Sequence, residues 1–287
     1  SYSMSITLEK TIKEKVKKIA AAQGRAFNEV WLQVILERWL VRLFMSSYTE
    51  KFIFKGGMCL SRYLAIGRET KDLDFLLRGL AGTEKNLKEV FAQISTIDAK
   101  DGFVFESISV NPLAHRHMKY PGYELSMRAV IGSTRTHLHV DIGIGDLVKP
   151  ENLTISLSEI SGTPIFEKEI ELWAYAPESI FAEKYETAIK RNATNSRMKD
   201  YHDLIILIQS QILNVEKTND ALKATFKNRK TEFTFIPNFQ AADLQRLENY
   251  WNAHIRSVKE IFQMQFKSSI LGFKIFPNKN INTNLVP

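Results

Sequence analysis

The sequence predicts an α+β chain: a mixed sheet with flanking helices, followed by a helical C-terminal part. Three observations predict it. Short alternating apolar runs fill the first half, segments with helical spacing frame them, and after Pro177 the periodicity is almost wholly helical. At 287 residues the chain can build one large core or two modest ones. Its 44% apolar and 25% charged residues are ordinary for a globular protein, which excludes bulk disorder.

The opening Ser1-Tyr2-Ser3, ahead of Met4, is set aside from the fold reasoning. Residues 7–22 read as a basic amphipathic helix, with Ile12, Val16, Ile19 and Ala20 at helical spacing and Gly24 to end it. A second helix is expected over 27–47, its buried stripe marked by Val30, Val34, Ile35, Trp39 and Leu40. Phe52-Ile53-Phe54 reads as a short strand closed by Gly56-Gly57, and Met58 to Ala65 as a helix. Asp72 to Leu77 then alternates as a strand, with Leu73 and Phe75 on one face and Asp72 and Asp74 on the other.

A helix is expected at 83–95 and strands at 103–110, 123–132 and 136–143. In the last of these Leu138, Val140 and Ile142 share one face, while His137, His139 and Asp141 share the opposite one. From Pro177 to about 270 the chain reads as helical, apart from an extended piece at Phe233-Thr234-Phe235, and the tail from Pro277 as loosely ordered. The change of periodicity places a boundary near 150–176. It divides the chain into a catalytic-type domain over 4–150 and a mainly helical domain over 151–287.

Several classes of protein are excluded at this level. No run approaches the roughly 18 apolar residues of a membrane helix; the block from Val30 to Phe44 is broken by Gln33, Glu37, Arg38 and Arg42. The single cysteine, Cys59, rules out an internal disulfide and a cysteine-based metal site. With no secretory signal either, a cytoplasmic protein without membrane partners is expected. The net charge of +7 favours polyanionic partners such as nucleotides or RNA, and also fits a generic basic enzyme surface.

The chemistry is concentrated in Lys55-Gly56-Gly57 and, across one short helix, Asp72-Leu73-Asp74-Phe75. A strand–diglycine–helix unit lets backbone N–H groups approach a phosphate at a helix N-terminus, where the dipole also favours an anion. Two carboxylates at i and i+2 on a strand repel: unit charges about 4 Å apart at an effective dielectric near 20 cost on the order of 4 kcal/mol. A cation relieves that repulsion. Oxygen donors without a His or Cys cluster point to Mg²⁺ or Mn²⁺.

Asp141, central in an otherwise apolar strand, supplies a third carboxylate. Three converging carboxylates would hold two metal ions, one for the attacking hydroxyl and one for a triphosphate. Asp146 could join them, although Gly145-Asp146 reads as an ordinary turn; His137 and His139 read as solvated or supporting residues rather than ligands. Lys184 falls on the buried stripe of the helix opened by Pro177, with Ile180, Phe181 and Ala188, where a triphosphate oxygen would be a suitable partner unless the ammonium snorkels to water. Asp200 and Asp203, in Lys199-Asp200-Tyr201-His202-Asp203, read from this segment alone as a helix-capping arrangement.

Taken in order, four stretches resemble the AbiEii/AbiGii-type toxins, the nucleotidyltransferase-like toxin half of bacterial toxin–antitoxin and abortive-infection systems, within the DNA-polymerase-β-like superfamily. They are Leu36–Leu40 with Phe52–Gly57, Thr70–Phe75, Val140–Asp146, and Pro177–Lys184 leading to Arg197–Leu204. The resemblance implies a polymerase-β-like catalytic sheet and transfer of a nucleotide from an NTP, with tRNA acceptor ends as targets in some members. It maps the glycine motif onto Gly56 and Gly57, the metal pair onto Asp72 and Asp74, the phosphate-contacting lysine onto Lys184, and the last acidic motif onto Asp200, with Asp203 as the alternative. Gly57 stands where many nucleotidyltransferases carry serine, and residues 215–287 match nothing in the family pattern.

The function expected is NMP transfer from an NTP to an acceptor hydroxyl, foremost a tRNA 3′ end, by a toxin with a cognate antitoxin. Asp72, Asp74 and Asp141 would bind metal, Lys55, Gly56, Gly57 and Lys184 the nucleotide, and Asp200 would position Lys184 or the acceptor. The rival readings are nucleotidylation of a protein or small molecule, and a non-catalytic nucleotide-binding module.

Overall fold

The computed structural model describes residues 2–113, 122–192, 197–234 and 241–256. Two compact units emerge. The first comprises residues up to Cys59, Glu69–Gly145 and Pro150–Ala174; the second comprises Leu60–Arg68, Asp146–Lys149 and the chain from Tyr175 onward.

The first unit is built on a seven-stranded mixed sheet of order β3-β4-β5-β2-β1-β9-β6. Its strands are β1 Phe52–Lys55, β2 Leu73–Leu77, β3 Val104–Pro112, β4 Gly122–Ile131, β5 Thr134–Gly143, β6 Glu151–Ser156 and β9 Glu169–Ala174. A small hairpin, β7 Glu159–Ile160 and β8 Thr163–Pro164, stands apart from the sheet. β2 runs antiparallel to β1 and parallel to β5, β1 runs parallel to β9, and the outer pairs are antiparallel, so the sheet is mixed.

Helices α1 Tyr2–Gln23, α2 Phe27–Met45 and α4 Glu84–Ser95 pack around this sheet, α1 against β4, α2 against β5 and β9, and α4 against β3. The reason is the alternation read in the sequence: Phe52 and Phe54, Leu73 and Phe75, Leu138, Val140 and Ile142 are all buried. Trp39 of α2 stacks on Phe91 of α4 at 4.9 Å, and Phe52 meets Phe91 edge-on at 5.4 Å. Truncating such a buried aromatic costs about 3–5 kcal/mol. Thr83 caps α4 by accepting a hydrogen bond from the Asn86 N–H.

Arg38 and Arg42, the charges that interrupt the apolar run of α2, are themselves buried. Both bind Asp101, Arg38 through Nε at 2.6 Å and Arg42 through two nitrogens at 2.8 Å, while Glu167 takes the rest of the Arg38 guanidinium. Burial works to raise the Asp101 pKa, but the two guanidiniums outweigh it and hold it below the ordinary value.

Of the four strands between 150 and 175, none stood out from the sequence. β6 is polar, with only Ile155 fully buried, and β9 is a six-residue alternation in which Ile170, Leu172 and Ala174 point inward. Their pairing continues the sheet, so the passage to the helical half falls at the far end of the 150–176 interval.

The second unit contains α5 Pro177–Arg191, α6 Met198–Gln209, α7 Val215–Arg229 and α8 Ala241–Ile255. Within it α5 packs on α6 and α7, and α6 on α8. Pro177 occupies the first turn of α5, as its missing N–H and fixed φ favour. Residues 231–234 belong to no helix or strand, and Phe235 and the tail from Pro277 lie outside the described residues. Among the described residues no helix is long and apolar enough to cross a membrane.

Candidate active site

At the centre of the first unit, register brings four side chains into one line across the sheet. Lys55 on β1 pairs with Asp74 on β2, Asp74 with Asp141 on β5, and Asp141 with Glu124 on β4. Directly opposed residues share a face, so these four project on the side away from Phe54, Phe75 and Val140. The Lys55 ammonium reaches as far as β5: it lies 3.8 Å from where a Cβ on Gly143 would stand.

The diglycine turn is fitted to this line. Gly56 has φ +77, and a Cβ there would lie 2.1 Å from Asp74 Oδ2, so no side chain can stand at this position without moving the carboxylate. The helix α3 Gly56–Tyr63 begins directly at the turn. Its first N–H groups have no partner within the helix and are the kind of donors that cradle a phosphate.

Three neighbouring carboxylates share the line with Lys55, and like charges directly opposed across strands repel. Among the described residues no three His, Cys, Asp or Glu side chains group tightly enough to form a metal cage by themselves. Asp74 and Asp141 stand side by side, half-buried, whereas Asp72 is exposed just ahead of β2 rather than inside it. One or two carboxylates completed by substrate phosphates and water is the donor set that suits Mg²⁺, whereas a dedicated protein cage suits other ions. The residues present fit such an ion.

In the second unit, Lys184 is neither solvated nor alone. Its ammonium lies 3.1 Å from Asp200 Oδ1 and 2.9 Å from Asp203 Oδ2. Arg68 grips both oxygens of Asp203, at 2.9 and 2.6 Å. Burial pulls the Lys184 pKa down, but Asp203 and Asp200 outweigh it and hold it above the ordinary value. Burial likewise pushes Asp203 up, and Lys184 and Arg68 pull it far below the ordinary carboxylate range. The capping reading is corrected here. α6 begins at Met198, so Asp200 and Asp203 lie inside the helix, and the cap position, Arg197, makes no side-chain capping bond.

Asp146 falls in the second unit, where Arg229 holds both its oxygens at 2.9 Å; the same guanidinium binds Glu186. His137 and His139 are exposed on the polar face of β5, and His139 Nδ1 lies 3.8 Å from Glu124 Oε1. Glu124 and Arg68 were missed in the sequence. Glu124 looks like any polar residue in an alternating strand until the register with Asp141 is known, and Arg68 sits in a polar loop with no periodicity.

A phosphate-type turn set against paired carboxylates is the arrangement that phosphoryl- and nucleotidyl-transfer chemistry uses. Over residues 38–272 the chain matches the family described as the nucleotidyl transferase AbiEii toxin of a type IV toxin–antitoxin system, and it belongs to that family. It is therefore a nucleotidyltransferase-family enzyme on the toxin side of a toxin–antitoxin pair. No curated protein matches it.

Among solved structures it is similar to a candidate nucleotidyltransferase from H. pylori, with 15% identity, TM-score 0.49 and coverage of 87% of this chain and 92% of that one. It is also similar to JHP933 from Helicobacter pylori, with 13% identity, TM-score 0.41 and coverage of 85% and 96%. An antigenic nucleotidyltransferase-like protein from Paracoccidioides brasiliensis gives 17% identity, TM-score 0.36 and coverage of 67% and 87%.

Proposed function

We propose that the chain transfers NMP from an NTP to the 3′-terminal hydroxyl of a tRNA, in the cytoplasm, and that its antitoxin counteracts this activity. The observation that carries the reading is the in-register pair Asp74 and Asp141 beside the Gly56 turn. Asp74 and Asp141, with Asp72 at the edge, would hold Mg²⁺ (or Mn²⁺) together with triphosphate oxygens. When bound, the ion supplies charge neutralisation and lowers the pKa of a coordinated hydroxyl.

The protein's own groups do the positioning. Lys55 and the N–H groups at Gly56 and Gly57 face the negative charge that builds on the leaving pyrophosphate. Lys184, to which the family resemblance assigns a phosphate contact, is held in the second unit by Asp200 and Asp203. In the reaction the acceptor oxygen forms a bond to Pα, the bond from Pα to the bridging oxygen of Pβ breaks, and pyrophosphate leaves with that electron pair. The acceptor hydroxyl's proton passes to water.

The test is to incubate the protein with each labelled NTP, Mg²⁺ and total RNA, and to resolve RNA from protein. Label on the tRNA fraction, lost with Asp74→Ala, is the expected result. Label on protein, or equal label with Asp74→Ala, overturns it.

A further inference from the structure

The line of side chains across the first unit has two chemically different ends. At one end are Lys55 and the Gly56 turn; at the other, beyond Asp141, are Glu124 and its diagonal neighbour His139. Displacement at phosphorus requires the leaving and attacking oxygens to lie roughly in line on opposite sides of the reacting atom. With the pyrophosphate at the Lys55 end, the attacking hydroxyl arrives from the β4 side. Neighbouring strands are about 4.8 Å apart, so Glu124 stands one strand beyond Asp141 and roughly 10 Å from Asp74. That is beyond the triphosphate and within the acceptor's reach.

Glu124 also differs from Glu106, which lies on the same face. Glu106 on β3 is taken up by Arg128 of β4, whose two nitrogens lie 3.0 and 2.6 Å from its Oε1. Among the described residues no guanidinium binds Glu124. The ring nitrogen of His139 is 3.8 Å away, beyond hydrogen-bond distance, and the two side chains are 46% and 49% exposed. An ionised carboxylate only accepts hydrogen bonds, so its natural partners are hydroxyls brought by the acceptor.

We infer that Glu124, flanked by His139, holds the terminal ribose of an RNA acceptor by accepting a hydrogen bond from the hydroxyl next to the one that attacks. The inference rests on the proposed NMP transfer to an RNA end and names the residue that recognises that end. A vicinal hydroxyl pair is what a ribose terminus offers and what a serine, threonine or tyrosine side chain lacks. Glu124 is thus a positioning residue for the acceptor, with no contact to the triphosphate.

The experiment uses a synthetic tRNA acceptor-stem hairpin made twice, ending in ribose or in 2′-deoxyribose, with the full chain, NTP and Mg²⁺. The wild type is expected to favour the ribose end by about tenfold or more in kcat/KM, the scale of one hydrogen bond to a charged group. Glu124→Ala removes that preference and raises KM for the hairpin, leaving KM for NTP within about twofold. Glu124→Gln, which still accepts a hydrogen bond, retains part of the preference. Because Glu124 is half-exposed, both variants are expected to melt close to the wild type. An undiminished preference in Glu124→Ala, or an effect confined to KM for NTP, overturns the inference while the proposed function stands. Failure of the wild type to label either hairpin overturns the tRNA-end reading and this inference with it.

Discussion

The chain carries two clusters of charge, and they are built on opposite principles. In the second unit, Lys184, Arg68 and Arg197 face Asp200 and Asp203, with Asp203 fully buried. Each carboxylate of the cluster has a cation beside it. In the first unit, Glu124, Asp141, Asp74 and Lys55 stand in register, three carboxylates and one ammonium across four strands. Removing one partner from the first kind of cluster strands a buried charge, whereas carboxylates side by side gain from a cation. On the proposed function the line in the first unit carries the chemistry, and the cluster in the second holds Lys184 in place.

The comparison breaks first at activity. Asp74→Asn or Asp141→Asn is expected to lower transfer by on the order of 10³-fold or more, the scale of losing a group that stabilises transition-state charge. Its melting temperature in metal-free buffer should match or exceed that of the wild type, because a like-charge contact has been relieved. Gly56→Ala comes next. The methyl group lands on Asp74 Oδ2 and imposes a left-handed conformation on alanine. Misplacement of a reacting group by about 1 Å can cost 10²-fold in rate, and left-handed backbone adds about 1–2 kcal/mol of instability.

Asp203→Asn gives the reverse pattern. It leaves buried Lys184 and Arg68 short of a counter-charge and should cost about 3–5 kcal/mol by denaturant melting. Asp101→Ala, which strands Arg38 and Arg42, should cost a similar amount. Both carboxylates have folded pKa values below their unfolded ones, so their contribution is present above about pH 4 and is lost as pH falls through the folded values.

The smallest expected effect is at the histidine pair of the second unit. His202 Nε2–H donates to the Ile66 carbonyl, so in a neutral His202 Nδ1 accepts from His254 Nε2–H at 3.0 Å. Burial, with His202 beside it, pushes His254 down to about 4, and burial lowers His202 too. Neutral imidazoles stabilise the fold above the unfolded pKa near 6.5, and that stability is lost as pH falls toward 4. Protection factors for hydrogen exchange in α6 and α8 should therefore fall as pH drops from 6.5 to 4.5, and His254→Gln should flatten the profile.

Much of this was legible in the sequence because it was periodic. The alternation of Leu138, Val140 and Ile142 against His137, His139 and Asp141 fixed the faces of β5, and the same logic put Asp74 opposite Phe75. Other features depend on register or on distant partners, which one strand does not encode. Glu124 becomes significant only once β4 is laid against β5, and Asp203 only once Arg68 and Lys184 are brought to it. Asp146 illustrates the opposite error of proximity: five residues from Asp141, it is held by Arg229 in the other unit. β6 and β9 escaped notice because polar and very short alternations resemble linker.

The central claim is that the carboxylate line of the first unit works on a nucleotide with a divalent cation. The most direct measurement is pyrophosphate release from each NTP, with acceptor RNA present, as Mg²⁺ is titrated into the wild type and Asp74→Asn. The account predicts release that rises with Mg²⁺ in the wild type for at least one NTP and stays at baseline in the variant. Release that ignores Mg²⁺, or that is equal in the two proteins, would contradict it.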